Sequence, residues 1–299
     1  MCQFEWPMEK LIFRYLTPGK DFSYVQKAIQ FNETFFRNPN TFNDPFDCAQ
    51  SISIPDVDNL SLSDEDDLRW WFSLCMQEKH DLQQSHASSV EIRREADLGI
   101  SKGNHKASEW LDSITISLPE SVKESAASMA VACFSADPEC ILMWSHYADR
   151  HRGVVLIFNR DALLEDDGQD RLFPVTYSTG FPTLNEFRVA LTTEGPLGVC
   201  KLFYCRKPRC WRYEREWRLF VSISEEDKNP SDGKSQEGVS RRTPEGSLVG
   251  VIMGCNMQPE NRLEVKQWVD DRKEPLWLYE ARCSHKGFAL DIKRSSGEP

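Results

Sequence analysis

The chain lacks the short fingerprints that identify most enzyme classes. It contains no G-x-x-x-x-G-K-[ST], no G-x-G-x-x-G after a strand pattern, no G-x-S-x-G and no H-E-x-x-H. P-loop, Rossmann, serine-hydrolase and zinc-protease chemistry therefore have no sequence support. Its 10 cysteines include no C-x-x-C pair, and no histidine follows the evenly spaced Cys200, Cys205 and Cys210 at finger spacing, so a zinc knuckle is not expected. Histidine itself is scarce, at 6, and His80, His86 and His105 have no ligand spacing and read as surface residues. There is no apolar run long enough to cross a bilayer and no apolar signal region in MCQFEWPMEK, so the expectation is a cytoplasmic chain, off the membrane, with reduced thiols. A basic excess is also missing. The formal net charge is −11, which argues against a protein that coats nucleic acid.

Aromatic residues, by contrast, are abundant. The 9 tryptophans in 299 residues imply a substantial core, with material for an aromatic-lined pocket. The segment from Lys201 to Ile223 is strongly basic within this acidic chain and runs through Trp211, Glu214, Glu216, Trp217 and Arg218 into an apolar strand. Read as one strand, it places Glu214 and Glu216 on a shared face. A carboxylate entering a sheet among arginines is either a structural ion pair or a catalytic group whose ionisation the cations fix, and pattern alone leaves both open.

Along the chain, strands are expected at 11–16, 33–36, 131–134, 154–158, 173–177, 219–221, 248–253, 276–283 and 288–292. Helices are expected at 22–29, 139–149, 184–191 and 259–270. Residues 61–128 read as a helical insertion, carrying an amphipathic stripe of Leu68, Trp71, Phe72, Cys75 and Met76. Residues 224–246, rich in Pro, Gly, Ser and charge, read as a mobile loop. Irregular alternation of strands and helices favours a single α+β domain over residues 1–299, with a mainly antiparallel sheet. The turn-rich loop N-T-F-N-D-P-F-D offers Asn43 and Asp44 as polar contacts and Phe42 or Phe46 as stacking faces, or is a rigid surface loop. His146 beside Tyr147 reads as acid–base machinery or as a capping pair.

Taken in order, these segments resemble the bacterial family called domain of unknown function 2971. The resemblance is carried by Arg14-Tyr15, by the N-D-P-F-acid loop from Asn43 to Asp47, by C-F-S at Cys133 to Ser135, by M-W-S-H-Y-A from Met143 on to Gly153, and by Trp211, Glu214, Glu216, Trp217 and Arg218. The family's similarity to abortive-infection proteins implies phage defence as a setting.

A looser resemblance is to the ADP-ribosyltransferase fold, which implies a split, mostly antiparallel sheet and NAD as substrate. Under it, Arg14, Tyr15 and Arg218 would hold the NAD, with Asn43 and Asp44 as polar contacts. Phe42, Phe46 or Tyr147 would stack on nicotinamide, and His146 would assist. Glu216 would stabilise the oxocarbenium-like charge while Glu214 positions an acceptor, which is a protein, a nucleic acid or water. On this reading Arg14, Asn43, His146 and Glu216 converge on one pocket. Two other readings stand beside it: a non-catalytic sensor or regulatory module that binds a nucleotide or partner protein, and a metal-free nuclease using His146 or His151. A Glu216 that points inward, paired to an arginine, weakens the transferase reading.

Overall fold

The computed structural model describes residues 7–18, 22–48, 52–53, 128–164, 171–224, 227 and 238–295, with scattered positions between 66 and 94. The expected insertion at 61–128 thus lies almost wholly outside the described residues. The chain divides into two units, one formed by Met1–Thr41, Met129–Val175 and Cys210–Pro299, the other by Phe42–Ser128 and Thr176–Arg209. The described residues form an α+β protein with a mostly antiparallel sheet. Among the described residues, no helix is long and apolar enough to cross a membrane.

The first unit is built on a ten-stranded sheet. Its main path runs β12 (Leu290–Arg294), β11 (Trp277–Cys283), β10 (Leu248–Met253), β4 (Val154–Asn159), β1 (Leu11–Leu16), β3 (Met129–Ser135), β2 (Glu33–Arg37) and β9 (Gly238–Arg242). β8 (Glu216–Ser222) lies between β3 and β5 (Leu172–Pro174). Within this sheet only β10 and β11 pair in parallel. β8 pairs β3 along its whole length, from Met129↔Ser222 to Ser135↔Glu216. The opposite edge of β3 is divided: its Ser135 end meets β1 and its Val131 end meets β2.

Both faces of this sheet are covered, so the central strands read as continuous apolar runs rather than alternating ones. In β1, Ile12 enters the core that also holds Phe134, Leu156 and Phe158. Helices α1 (Ser23–Phe31) and α4 (Pro259–Asp270) close that side through Val25, Ile29, Val265 and Val269. The alternate residues Leu11, Phe13 and Tyr15 enter the opposite core, which α2 (Ile141–Tyr147) covers with Met143 and Trp144. Period-two alternation thus sorts β1 into two cores.

In the second unit, β6 (Thr176–Ser178) pairs in parallel with β7 (Arg206–Pro208). Between them runs α3 (Leu184–Tyr204), capped by Thr183 and Glu186 in a reciprocal capping box. The helix expected to end before Gly195-Pro196 instead resumes beyond it. Gly195 takes φ 61° and ψ −144°, and Pro196 then begins the next helical segment, where a missing N–H costs nothing.

Two other expectations are corrected. The single strand at 173–177 is two short strands, because β5 pairs β8, a pairing that Val175 extends by donating its N–H to the Glu216 carbonyl at 2.9 Å, and β6 then pairs β7 instead. The stretch 224–246 contains β9, paired with β2 from Glu33↔Arg242 to Arg37↔Gly238. β9 buries only Val239 and turns polar residues outward, so its sequence carries little apolar signal.

Candidate functional site

The motif segments of the first unit meet on the α2 side of the sheet. Ser135 ends β3, and its hydroxyl donates to the Glu214 carbonyl at 2.6 Å while accepting from the Asp137 N–H at 3.0 Å. Asp137 in turn accepts from the Glu139 N–H at 2.8 Å, and the Tyr15 hydroxyl donates to the Asp137 carbonyl at 2.6 Å. These bonds fix the turn that launches α2. Trp144, fully buried, locks the helix down by donating its indole N–H to the Pro138 carbonyl at 2.8 Å and packing edge-on against Tyr15. The Tyr147 hydroxyl then donates to Glu214 Oε1 at 2.7 Å. Desolvation, together with the nearby Asp137, raises the Tyr15 phenol well above its usual range, so it remains a donor. Desolvation and Asp137 likewise raise the Glu139 carboxyl.

Glu214 and Glu216 do not share a strand. Glu214 closes the 3-10 turn Arg209–Glu214, and Arg215, at φ 46°, breaks the chain direction before β8 begins at Glu216. Their surroundings differ accordingly. Glu214 is 2 % exposed and meets Tyr147. Glu216 is 5 % exposed and is gripped bidentately by fully buried Arg218, Nε to Oε1 at 2.9 Å and Nη2 to Oε2 at 3.1 Å. The two residues are i and i+2 on one strand, so they share a face and reach each other without strain.

Register separates Arg14 from this cluster. Phe13 pairs Ser135, and Ser135 pairs Glu216, so Phe13, Tyr15, Glu216 and Arg218 project from one face. Arg14 projects from the other, where its guanidinium lies 5.7 Å from the Phe134 ring centroid. The expected convergence of Arg14 and Glu216 on one pocket is therefore not what the sheet gives. Arg14 instead bridges β1 to β2 across the divided edge of β3, donating from Nη2 to the Phe35 carbonyl, while its Nη1 is enclosed without a partner. Loss of water pushes its pKa down to about 10.

His146 is exposed and sits edge-on to Tyr147, with ring centroids 6.3 Å apart. Asn43, Asp44 and Phe46 belong to the second unit. There Asn43 is exposed, Asp44 Oδ1 accepts from the Phe46 N–H at 2.9 Å in an Asx turn, and Phe46 is 59 % exposed. The last residue of that loop, Asp47, forms a buried ion pair with Lys207 at 3.0 Å.

The sequence places a turn at Arg150-His151-Arg152-Gly153 but gives no signal of its backbone conformation. Asp149, Arg150 and His151 take φ values of 47°, 55° and 67°, three left-handed residues in succession without a glycine. The turn is held at both ends. The His151 N–H donates to the Trp144 carbonyl at 3.1 Å, and the His151 carbonyl accepts from the Asn256 N–H at 3.0 Å. The ring stacks on Trp144, and Nε2 lies 3.1 Å from Ser145 Oγ, with Nδ1 enclosed and unpartnered. Burial pushes the imidazole pKa down. A neutral ring that donates from Nε2 to Ser145 leaves only a lone pair unmet at Nδ1, the cheaper of the two tautomers. His151 thus orients Ser145 rather than deprotonating it. Among the described residues, no group of three or more His, Cys, Asp and Glu side chains is placed to hold a metal.

Exposed cations flank this cluster: Arg212 and Arg215 lie on either side of Glu214 in the chain, and Arg150 follows Tyr147. Trp211 and Tyr213 form a tilted aromatic pair 6.0 Å apart. Arginines, aromatic faces and an acceptor carboxylate together suit a phosphorylated, ring-bearing ligand. No curated protein and no solved structure matches the chain. Residues 143–219, from α2 to the middle of β8, match the family model described as protein of unknown function (DUF2971).

Proposed function

We propose that the protein is a nucleotide-recognition module whose ligand-reading face is made by exposed Arg150, Arg212 and Arg215 with Trp211 and Tyr213, supported from beneath by the Tyr15–Ser135–Tyr147–Glu214 cluster, of which Tyr15, Ser135 and Glu214 are buried. The observation that carries this reading over bond cleavage is the Glu216–Arg218 clamp, buried and bidentate. A carboxylate that is to stabilise a developing cation must face the substrate, whereas this one already faces its own arginine. Arg150, Arg212 and Arg215 meet the phosphates, and Trp211 or Tyr213 supplies a stacking face.

The second reading is NAD cleavage by an ADP-ribosyltransferase-like enzyme, a toxin or anti-phage effector, acting on a protein, nucleic acid or water. The divided edge of β3 and the E-x-E spacing at the start of β8 favour it. One experiment separates the two: titration of NAD into the purified protein, with nicotinamide release followed in the same samples. The expected result is saturable binding without release, weakened about tenfold by Arg212→Gln, the loss of roughly 1.4 kcal/mol. Release that Glu216→Gln abolishes would install the enzyme reading. Absence of binding to NAD, ADP-ribose and ATP would sink the nucleotide reading.

A further inference from the structure

Cys255 and Cys283 face each other at the far end of the parallel β10–β11 pair. Their sulfurs are 4.0 Å apart, and both are thiols. Cys255 follows Met253 and Gly254 at the exit of β10, and Cys283 ends β11. A disulfide needs about 2.05 Å between sulfurs, so the two sulfurs have roughly 2 Å left to close. Cys283 is exposed and Cys255 is half-buried, the arrangement in which an outer thiol meets the reagent and an inner one resolves it.

We propose that Cys255 and Cys283 form a reversible dithiol–disulfide site that reacts with hydroperoxides. The Cys283 thiolate attacks one peroxide oxygen and the O–O bond breaks. Cys283 becomes a sulfenic acid and the released oxyanion takes a proton to leave as water, or as an alcohol from an organic peroxide. The Cys255 sulfur then attacks the Cys283 sulfur, the S–O bond breaks, and hydroxide leaves with the Cys255 proton as water. Two thiols lose two electrons in all, and the peroxide gains them. Burial and the neighbouring Cys283 raise the Cys255 thiol pKa, in keeping with its resolving role.

The location gives the bridge a consequence. The turn that contains Cys255 also holds the left-handed loop behind α2, since the Gly254 N–H donates to the Gly153 carbonyl at 3.0 Å and Asn256 Nδ2 donates to the Arg150 carbonyl at 3.3 Å. Tying Cys255 to β11 fastens the support of that loop. This inference is independent of the ligand reading.

The test treats the reduced full chain with a stoichiometric excess of hydrogen peroxide, then blocks remaining thiols and maps peptides by mass spectrometry. The expected product is a Cys255–Cys283 linked peptide two hydrogens lighter than its reduced parts, restored by dithiothreitol. Cys255→Ser is expected to let Cys283 run on to sulfinic acid, and Cys283→Ser to leave Cys255 unmodified at the same dose. Slower hydrogen exchange at 149–157 after oxidation marks the fastened loop. Cys283 accumulating as sulfinic acid in the unaltered chain, or bridging to another cysteine, would overturn the proposal.

Discussion

At the scale of single residues, the Glu216–Arg218 pair is the contact in the candidate site whose loss is expected to be felt in stability. Both partners are buried. Removing one leaves an uncompensated charge, which costs about 3–5 kcal/mol, whereas removing both together recovers part of that loss. Arg218→Met is therefore expected to lower the denaturant midpoint sharply, and Glu216→Leu/Arg218→Met to lower it less. A single and a double variant that are equally unstable would show that the pair is not acting as a unit. His151 supplies a pH dependence. Burial holds its folded pKa below the usual value, so the unfolded chain binds the proton first as pH falls. Stability is expected to decline as pH drops through about 6.5 and to level off below the lower folded value. Unfolding measured from pH 7.5 to 5 in His151→Gln should show that slope reduced.

At the scale of elements, the turn from Asp149 to His151 stores strain. A left-handed conformation costs roughly 1–2 kcal/mol for a residue with a Cβ. Arg150→Gly is expected to stabilise the protein by about 1 kcal/mol, raising Tm by roughly 2–4 °C, while weakening nucleotide binding through the lost guanidinium. A stability gain with unchanged affinity would remove Arg150 from the proposed site. The opposite change tests the support of the turn. A Cβ at Gly254 would lie 2.1 Å from the His151 carbonyl oxygen, so Gly254→Ala must displace backbone. A loss of about 1–3 kcal/mol is expected by denaturant unfolding. The same scale shows where pattern reading stopped. E-R-E-W-R looks like alternation on one strand, but the left-handed Arg215 ends a 3-10 turn and starts β8, turning Glu214 toward Tyr147. No spacing rule carries that signal, because it depends on Ser135 accepting the Asp137 N–H and donating to the Glu214 carbonyl.

At the scale of the whole molecule, a chain of net charge −11 carries exposed Arg212 and Arg215 beside buried Glu214 and Glu216 in the sequence. Nucleotide affinity through Arg212 and Arg215 is expected to fall several-fold as salt rises from about 0.05 to 0.2 M, since exposed charges are screened over roughly 10 Å. Affinity indifferent to salt would place the ligand away from these side chains. In the second unit, the buried Asp47–Lys207 pair joins the N-D-P-F-acid loop to β7. Lys207→Met is expected to cost about 3–5 kcal/mol, whereas Asn43→Ala, at an exposed position, is expected to change stability by less than about 0.5 kcal/mol.

The sequence by itself determined most of the elements. Local apolar patterning placed β1, β4, β10 and α4 within a residue of their observed limits, because those segments bury whole faces and their period is set by the backbone. It also determined the α+β class and the segments that carry the family resemblance. Only the tertiary structure decided which of those segments meet. Pairing of Phe13 with Ser135 and of Ser135 with Glu216 is a contact between residues far apart in sequence, and the side-chain period of two then sends Arg14 to one face and Glu216 to the other. A one-residue difference in that register would have reversed the outcome, and no local feature of the chain encodes it.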